Sequence, residues 1–251
     1  MSKPSIKIAL HEPIAPYFAS IYSTLISIAQ GLAIGGLFYI ISEAFPTLSS
    51  ITFWVYCKIF IVFLLICLIW HRYVSHFQYL AWRPSVFDAI ISMGFAVLQS
   101  LLIVSIRESI FYFSLSLSLL FFLGFLVYLN VLIRHNNPQT LEVFKEHFAF
   151  INDEFAITLY DEITLFNRRA RWQMIVISLV FAVIALLIHS FEFISENIYT
   201  LFITMLCLFV FIYLFRIDLP ETFKRSERLK QYGFFSTDPL KPEQNQIFLL
   251  L

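Results

Sequence analysis

His71 and His76 stand five residues apart in "WHRYVSH" (70–76), with Arg72 and Ser75 between them, directly after an apolar run. Imidazole is a common ligand for zinc, copper and iron, so the pair is half of a candidate metal site. On a helix, residues five apart differ by about 140° in azimuth, so the two do not share a face as i, i+4 ligands would. Lys58 is a second candidate, an ammonium set within "FWVYCKIFIVFLL". A charge at that depth either faces a cavity or a partner, or its four-carbon stem snorkels to the nearer surface. Gln30 and Gln99 also fall within apolar runs, and an unpaired amide is costly in hydrocarbon. They are expected to hydrogen-bond across helices or to line a polar path with Lys58. The carboxylate pairs Asp153-Glu154 and Asp161-Glu162 have no glycine turn or ligand loop of the calcium-binding kind, and read as a solvated helix face.

No HExxH, phosphate loop, Ser–His–Asp spacing or nucleophile elbow occurs. Cys57, Cys67 and Cys207 all lie in apolar runs and read as small buried hydrophobes, not as a disulfide framework. "HRYVSH" resembles the first histidine box of the membrane acyl-CoA desaturases, which begins His-Arg and ends Ser-His at the cytosolic end of a second span. That resemblance implies iron ligation by His71 and His76. It covers those residues alone, and the family also requires two later HxxHH boxes. The other histidines here are His11, His135, His147 and His189; none are adjacent and no HxxHH occurs. A di-iron site cannot be assembled from them, so no catalytic residue, metal or cofactor is assigned.

What positions these residues follows from composition. The 251 residues are 59% hydrophobic and 14% charged, include 30 phenylalanines, and have a mean hydropathy of +0.80. Soluble domains have roughly 45–50% apolar and about 25% charged residues. So much apolar surface cannot be buried inside one globule of this size, and most of the chain must face lipid. With 17 basic and 17 acidic residues there is no net field to draw nucleic acid.

A span needs about 20 apolar residues. Six stretches qualify, at about 17–42, 51–70, 86–106, 109–133, 172–191 and 197–215. The third and fourth are parted only by Arg107-Glu108, and one helix across both would be far too long for a bilayer, so a tight hairpin is expected there. Backbone groups have no water to bond in the core, so even "SLSLSL" (114–119) is expected to be helical. With the N-terminus inside, every basic residue except Arg107 and Lys58 falls on the cytoplasmic side, as the positive-inside rule requires. Trp54, Trp70, Trp82 and Trp172 sit near the expected interfaces. Pro46, Pro84, Pro138 and Pro220 are expected to punctuate loops. Three prolines and no small-residue cleavage signature precede the first span, which is expected to be retained.

The expected fold is therefore an all-α polytopic membrane protein with six spans and both termini cytoplasmic. Its organisation reads as a four-helix membrane segment (1–134), a cytosolic amphipathic acidic helix (135–171), a transmembrane hairpin (172–215) and a cytosolic tail (216–251), basic in its first half. In the cytosolic helix, Phe144, Phe148, Ile151 and Phe155 recur at gaps of three and four, the spacing of an apolar stripe. Its other face is acidic, which favours a protein partner over anionic headgroups. In the first span Ser23, Ser27, Gly31 and Gly35 repeat every four residues, a face that lets two helix backbones approach closely, within the bundle or between copies. Partners are then the bilayer, a second copy, and a soluble protein bound through 138–167. The functional expectation is a homo-oligomeric channel-like or membrane-perturbing protein of a bacterial inner membrane. The alternative is a non-catalytic sensor or scaffold, and a lipid-modifying enzyme is third.

Overall fold

The computed structural model describes residues 15–44, 53–77, 86–137, 140–142, 145, 153–190 and 195–231. Among these, all extended regular structure is helical: α1 (Ala15–Ala44), α2 (Phe53–Phe77), α3 (Val86–Val104), α4 (Ile110–His135), α5 (Asp153–Ser190) and α6 (Glu196–Gln231). "SLSLSL" is helical, within α4. The hairpin expected at Arg107-Glu108 is present as a turn over 105–109 between α3 and α4.

Five of the helices carry stretches long and apolar enough to cross a membrane, namely Thr24–Glu43, Phe53–Arg72, Ile110–His135, Tyr160–Ser190 and Glu196–Ile217. The apolar stretch of α3, Ala89–Val104, is shorter. Side chains on the outside of the bundle are as greasy as those within. Phe38, Phe87, Met93, Leu186, Phe202 and Phe209 are exposed, while Phe113, Leu117, Phe181, Ile203 and Leu214 are sealed inside. Helices that are apolar all round belong in lipid, where neither face has water to avoid.

α4 is the most buried of the apolar stretches. α2 packs on α1, α3 and α6, and α4 packs on α3, α5 and α6. The most extensive contact joins α4 and α5, with α1 against α3 and α2 against α6 next. α5 and α6 follow each other in sequence but, among the described residues, pack little on one another; Gln173 Nε2 donates to Tyr213 Oη at 3.4 Å.

Three sequence expectations are redrawn by helix continuity. α5 runs unbroken through 171–172, where a cytosolic helix was expected to give way to a span. At 38 residues it is about 57 Å long, against about 30 Å of hydrocarbon. α6 likewise continues past residue 215 to Gln231, and Pro220 lies inside it, not in a loop. Arg72, expected in a loop, is in α2 and only 8% exposed.

Candidate functional site

The polar residues inside the bundle fall into four groups. At mid-bundle, Gln30 on α1 and Gln99 on α3 face each other, 4% and 1% exposed. Each amide nitrogen donates to the other's oxygen, Gln99 Nε2 to Gln30 Oε1 at 3.1 Å and Gln30 Nε2 to Gln99 Oε1 at 3.4 Å. The expected cross-helix bonding is thus a mutual pair between these two residues. Two complementary amides satisfy one another in a place where neither hydrocarbon nor water can.

At the end of the bundle that carries the α3–α4 turn, three helices grip that turn. Lys58 of α2 is 5% exposed, and its Nζ donates to the backbone carbonyl of Glu108 at 2.8 Å while lying 5.7 Å from the Phe113 ring centroid. Arg107 Nη1 donates to Glu43 Oε2 of α1 at 2.6 Å, and Tyr39 also donates to Glu43, through Oε1. Glu196, at the start of α6, accepts from the backbone N–H of Ile110 at 2.8 Å and so places a carboxylate on the N-terminus of α4. Helix N-termini carry unsatisfied N–H groups and partial positive charge, so this carboxylate is well placed. Lys58 therefore reaches for the nearer end of the bundle, with a carbonyl as its acceptor.

The third group is the α4–α5 seam. Ser114 Oγ donates to the Phe181 carbonyl at 3.0 Å. Ser118 and Ser178 donate to each other's carbonyls, both at 2.9 Å. Gly124 faces Met174, and a Cβ there would meet Sδ at 3.3 Å. Further along, Tyr160 donates to the His135 carbonyl and Thr164 Oγ1 lies 3.4 Å from His135 Nδ1. Small residues and hydroxyls that bond the opposite backbone are what hold helices together where no hydrophobic force separates protein from lipid. The sequence reading had passed over this seam, although serines four apart in an apolar run are its visible sign.

The fourth group lies opposite the turn end. Arg72 Nη1 donates to Tyr128 Oη at 3.2 Å, lies 4.0 Å from Met174 Sδ, and its guanidinium sits 5.8 Å from the Tyr128 ring centroid. His71 stacks on Phe215 of α6 at 5.2 Å, and its Nε2 is buried with no hydrogen-bond partner. His76 is in α2 as well. Among the described residues no three His, Cys, Asp or Glu side chains converge as metal ligands would.

The small-residue repeat of α1 lies apart from these groups. Ile26, Ala29, Gln30, Ala33 and Leu37 face inward, whereas Ser27, Gly31 and Gly35 are exposed. A Cβ built on Gly31 or Gly35 would meet nothing within 4 Å. Gly36 is the glycine that approaches α3, at Ile103. Ser23 also lies in α1. Phe144, Phe148 and Ile151 of the expected partner-binding stripe fall outside the described residues, and Phe155 is in the first turn of α5. Further along that stripe, Ile163 and Phe166 are buried, and the Phe166 ring lies edge-on to Tyr128 of α4 at 6.4 Å.

Among the described residues the protein is all-helical, and five of its helices have the length and composition of membrane spans, those of an integral membrane protein. No protein-family model matches the chain, and no curated protein and no solved structure matches it either.

Proposed function

We propose that this chain is a non-catalytic, six-span membrane scaffold or sensor, with both termini cytoplasmic, that recruits a soluble partner through its cytosolic helix. One observation carries the reading: the polar side chains expected to line a path are bonded inside the bundle. Gln30 and Gln99 complete each other, and Lys58 is held by the Glu108 carbonyl. What remains for interaction is outside the membrane, where α5 and α6 outrun the thickness of a bilayer. Six spans are supported by the meeting of α1, α2, the α3–α4 turn and α6 at one end, and by the Gln30–Gln99 pair, which carries α3 along α1 to mid-bundle. The distribution of lysine and arginine supports the orientation, and the phenylalanine- and isoleucine-rich composition suits a bacterial inner membrane.

A second reading, the homo-oligomeric channel, is favoured by the exposed Ser27, Gly31 and Gly35, a face on which copies of α1 can meet closely. A path would then run between copies, not through one. Ion flux into liposomes holding the purified protein, compared with Gly31→Leu on that exposed face, separates the two. No flux from either protein supports the scaffold; flux that Gly31→Leu abolishes overturns it.

A further inference from the structure

We propose that the α4–α5 seam has two packings, and that Asn167 is the residue whose partner changes between them. Asn167 lies in the stripe of α5 that faces α4, in line with Tyr160, Ile163, Ala170, Met174 and Ser178, all of them buried. It is 0% exposed, and neither Nδ2 nor Oδ1 has a hydrogen-bond partner. The stripe's other polar members bond across the seam, Tyr160 to the His135 carbonyl and Ser178 to Ser118. A sealed amide with both its donor and its acceptor idle is costly, and native interiors rarely leave one without a role. An apolar side chain of the same size would close this packing better.

The amide's partner in the second packing is identified by its surroundings. Phe166 precedes it in the chain and packs edge-on against Tyr128, whose hydroxyl accepts from Arg72. Successive residues are about 100° apart around a helix, so a partial rotation of α5 that carries position 166 off Tyr128 brings 167 toward it. The Tyr128 hydroxyl can both accept and donate, which suits an amide.

The rotation exchanges the bond from Tyr160 to the His135 carbonyl for the one from Asn167 to Tyr128, and the rest of the seam confines it to that half. Toward the α3–α4 turn the seam is pinned by Ser114 on the Phe181 carbonyl and by the reciprocal Ser118–Ser178 bonds. Between the pinned half and Asn167 stands Gly124 opposite Met174, a position with no side chain facing a flexible thioether. That is the pivot. Packed interfaces change by switching between discrete arrangements, not by bending continuously. α5 is one helix from Asp153 to Ser190, so a local change of twist between Met174 and Asn167 turns the N-terminal extension while Ser178 stays bonded. The seam thereby couples the interior of the bundle to the helix outside it. The proposal stands on the seam alone and holds for a scaffold or a channel.

Spin labels at Ile157→Cys on the extension and Arg216→Cys on α6 test it, in full-length protein in nanodiscs with Cys57, Cys67 and Cys207 replaced by alanine. Both labelled positions are exposed. Two distance populations are expected for the chain that keeps Asn167, and one for Asn167→Leu, which has no amide to match. Tyr128→Phe is expected to give one population as well, and carries the test if the leucine variant does not fold. A single population with Asn167 present, or two that survive both substitutions, overturns the proposal.

Discussion

Replacing Gln30 with leucine removes half of a pair whose members are satisfied only by each other, so the main effect falls on the residue left behind. Gln99 is 1% exposed and would keep an amide with no partner, at a cost of about 1–3 kcal/mol. Gln99→Leu strands Gln30 in the same way. The double variant strands nothing. It loses two bonds of 3.1 and 3.4 Å, and interhelical bonds in membranes are worth about 0.6 kcal/mol each on average. Each single substitution is therefore expected to destabilise by about 2 kcal/mol and the double by only about 1 kcal/mol, where independent sites would give about 4 kcal/mol. Reversible unfolding in mixed micelles, followed by circular dichroism, measures all four proteins. A double variant as unstable as the sum of the singles would refute the mutual pair and return both amides to the list of candidates for a polar path.

Further substitutions test the remaining groups by the same unfolding assay. Lys58→Met, which keeps the stem and loses the ammonium, is expected to cost about 1–3 kcal/mol by breaking a charged hydrogen bond to the Glu108 carbonyl. Glu196→Gln should cost about 0.5–1 kcal/mol, since the side chain still reaches Ile110 but no longer brings a negative charge to the N-terminus of α4. At Gly124 the flexible Met174 can give way to one methyl, so Gly124→Ala should be nearly neutral, whereas Gly124→Ile should overpack the seam by about 1–3 kcal/mol.

The α3–α4 turn was legible in the sequence because a bilayer is too thin for an uninterrupted helix over both apolar runs, and Arg107-Glu108 is the only polar break between them. The helical state of "SLSLSL" was legible for the same kind of reason, since lipid overrides a period of two. Gln30 and Gln99 could be seen to need partners, but a pairing 69 residues apart depends on how α1 meets α3. Lys58 was expected to face a cavity or a partner, or to snorkel, and its acceptor could not be read from the sequence. It bonds a backbone carbonyl, an acceptor that any residue supplies and that no count of charges reveals. Pro220 misled because proline commonly ends a soluble helix, whereas α6 carries it within a helix that continues to Gln231. Arg72 looked like a loop charge beside the interface. It is buried because Tyr128 and Met174 from two other helices surround it, which is a property of packing. Asn167 drew no notice, since "NRRARW" reads as a membrane-border collar; only burial against α4 makes its amide conspicuous.

A six-span topology puts the turn end of the bundle outside and the extensions of α5 and α6 in the cytoplasm. Single cysteines at Arg107 and Asn137, in a background with Cys57, Cys67 and Cys207 replaced, test it through labelling of sealed, oriented cells by an impermeant maleimide. Arg107→Cys is expected to be labelled from outside, and Asn137→Cys only after the membrane is opened. Labelling of both from the same side would contradict it.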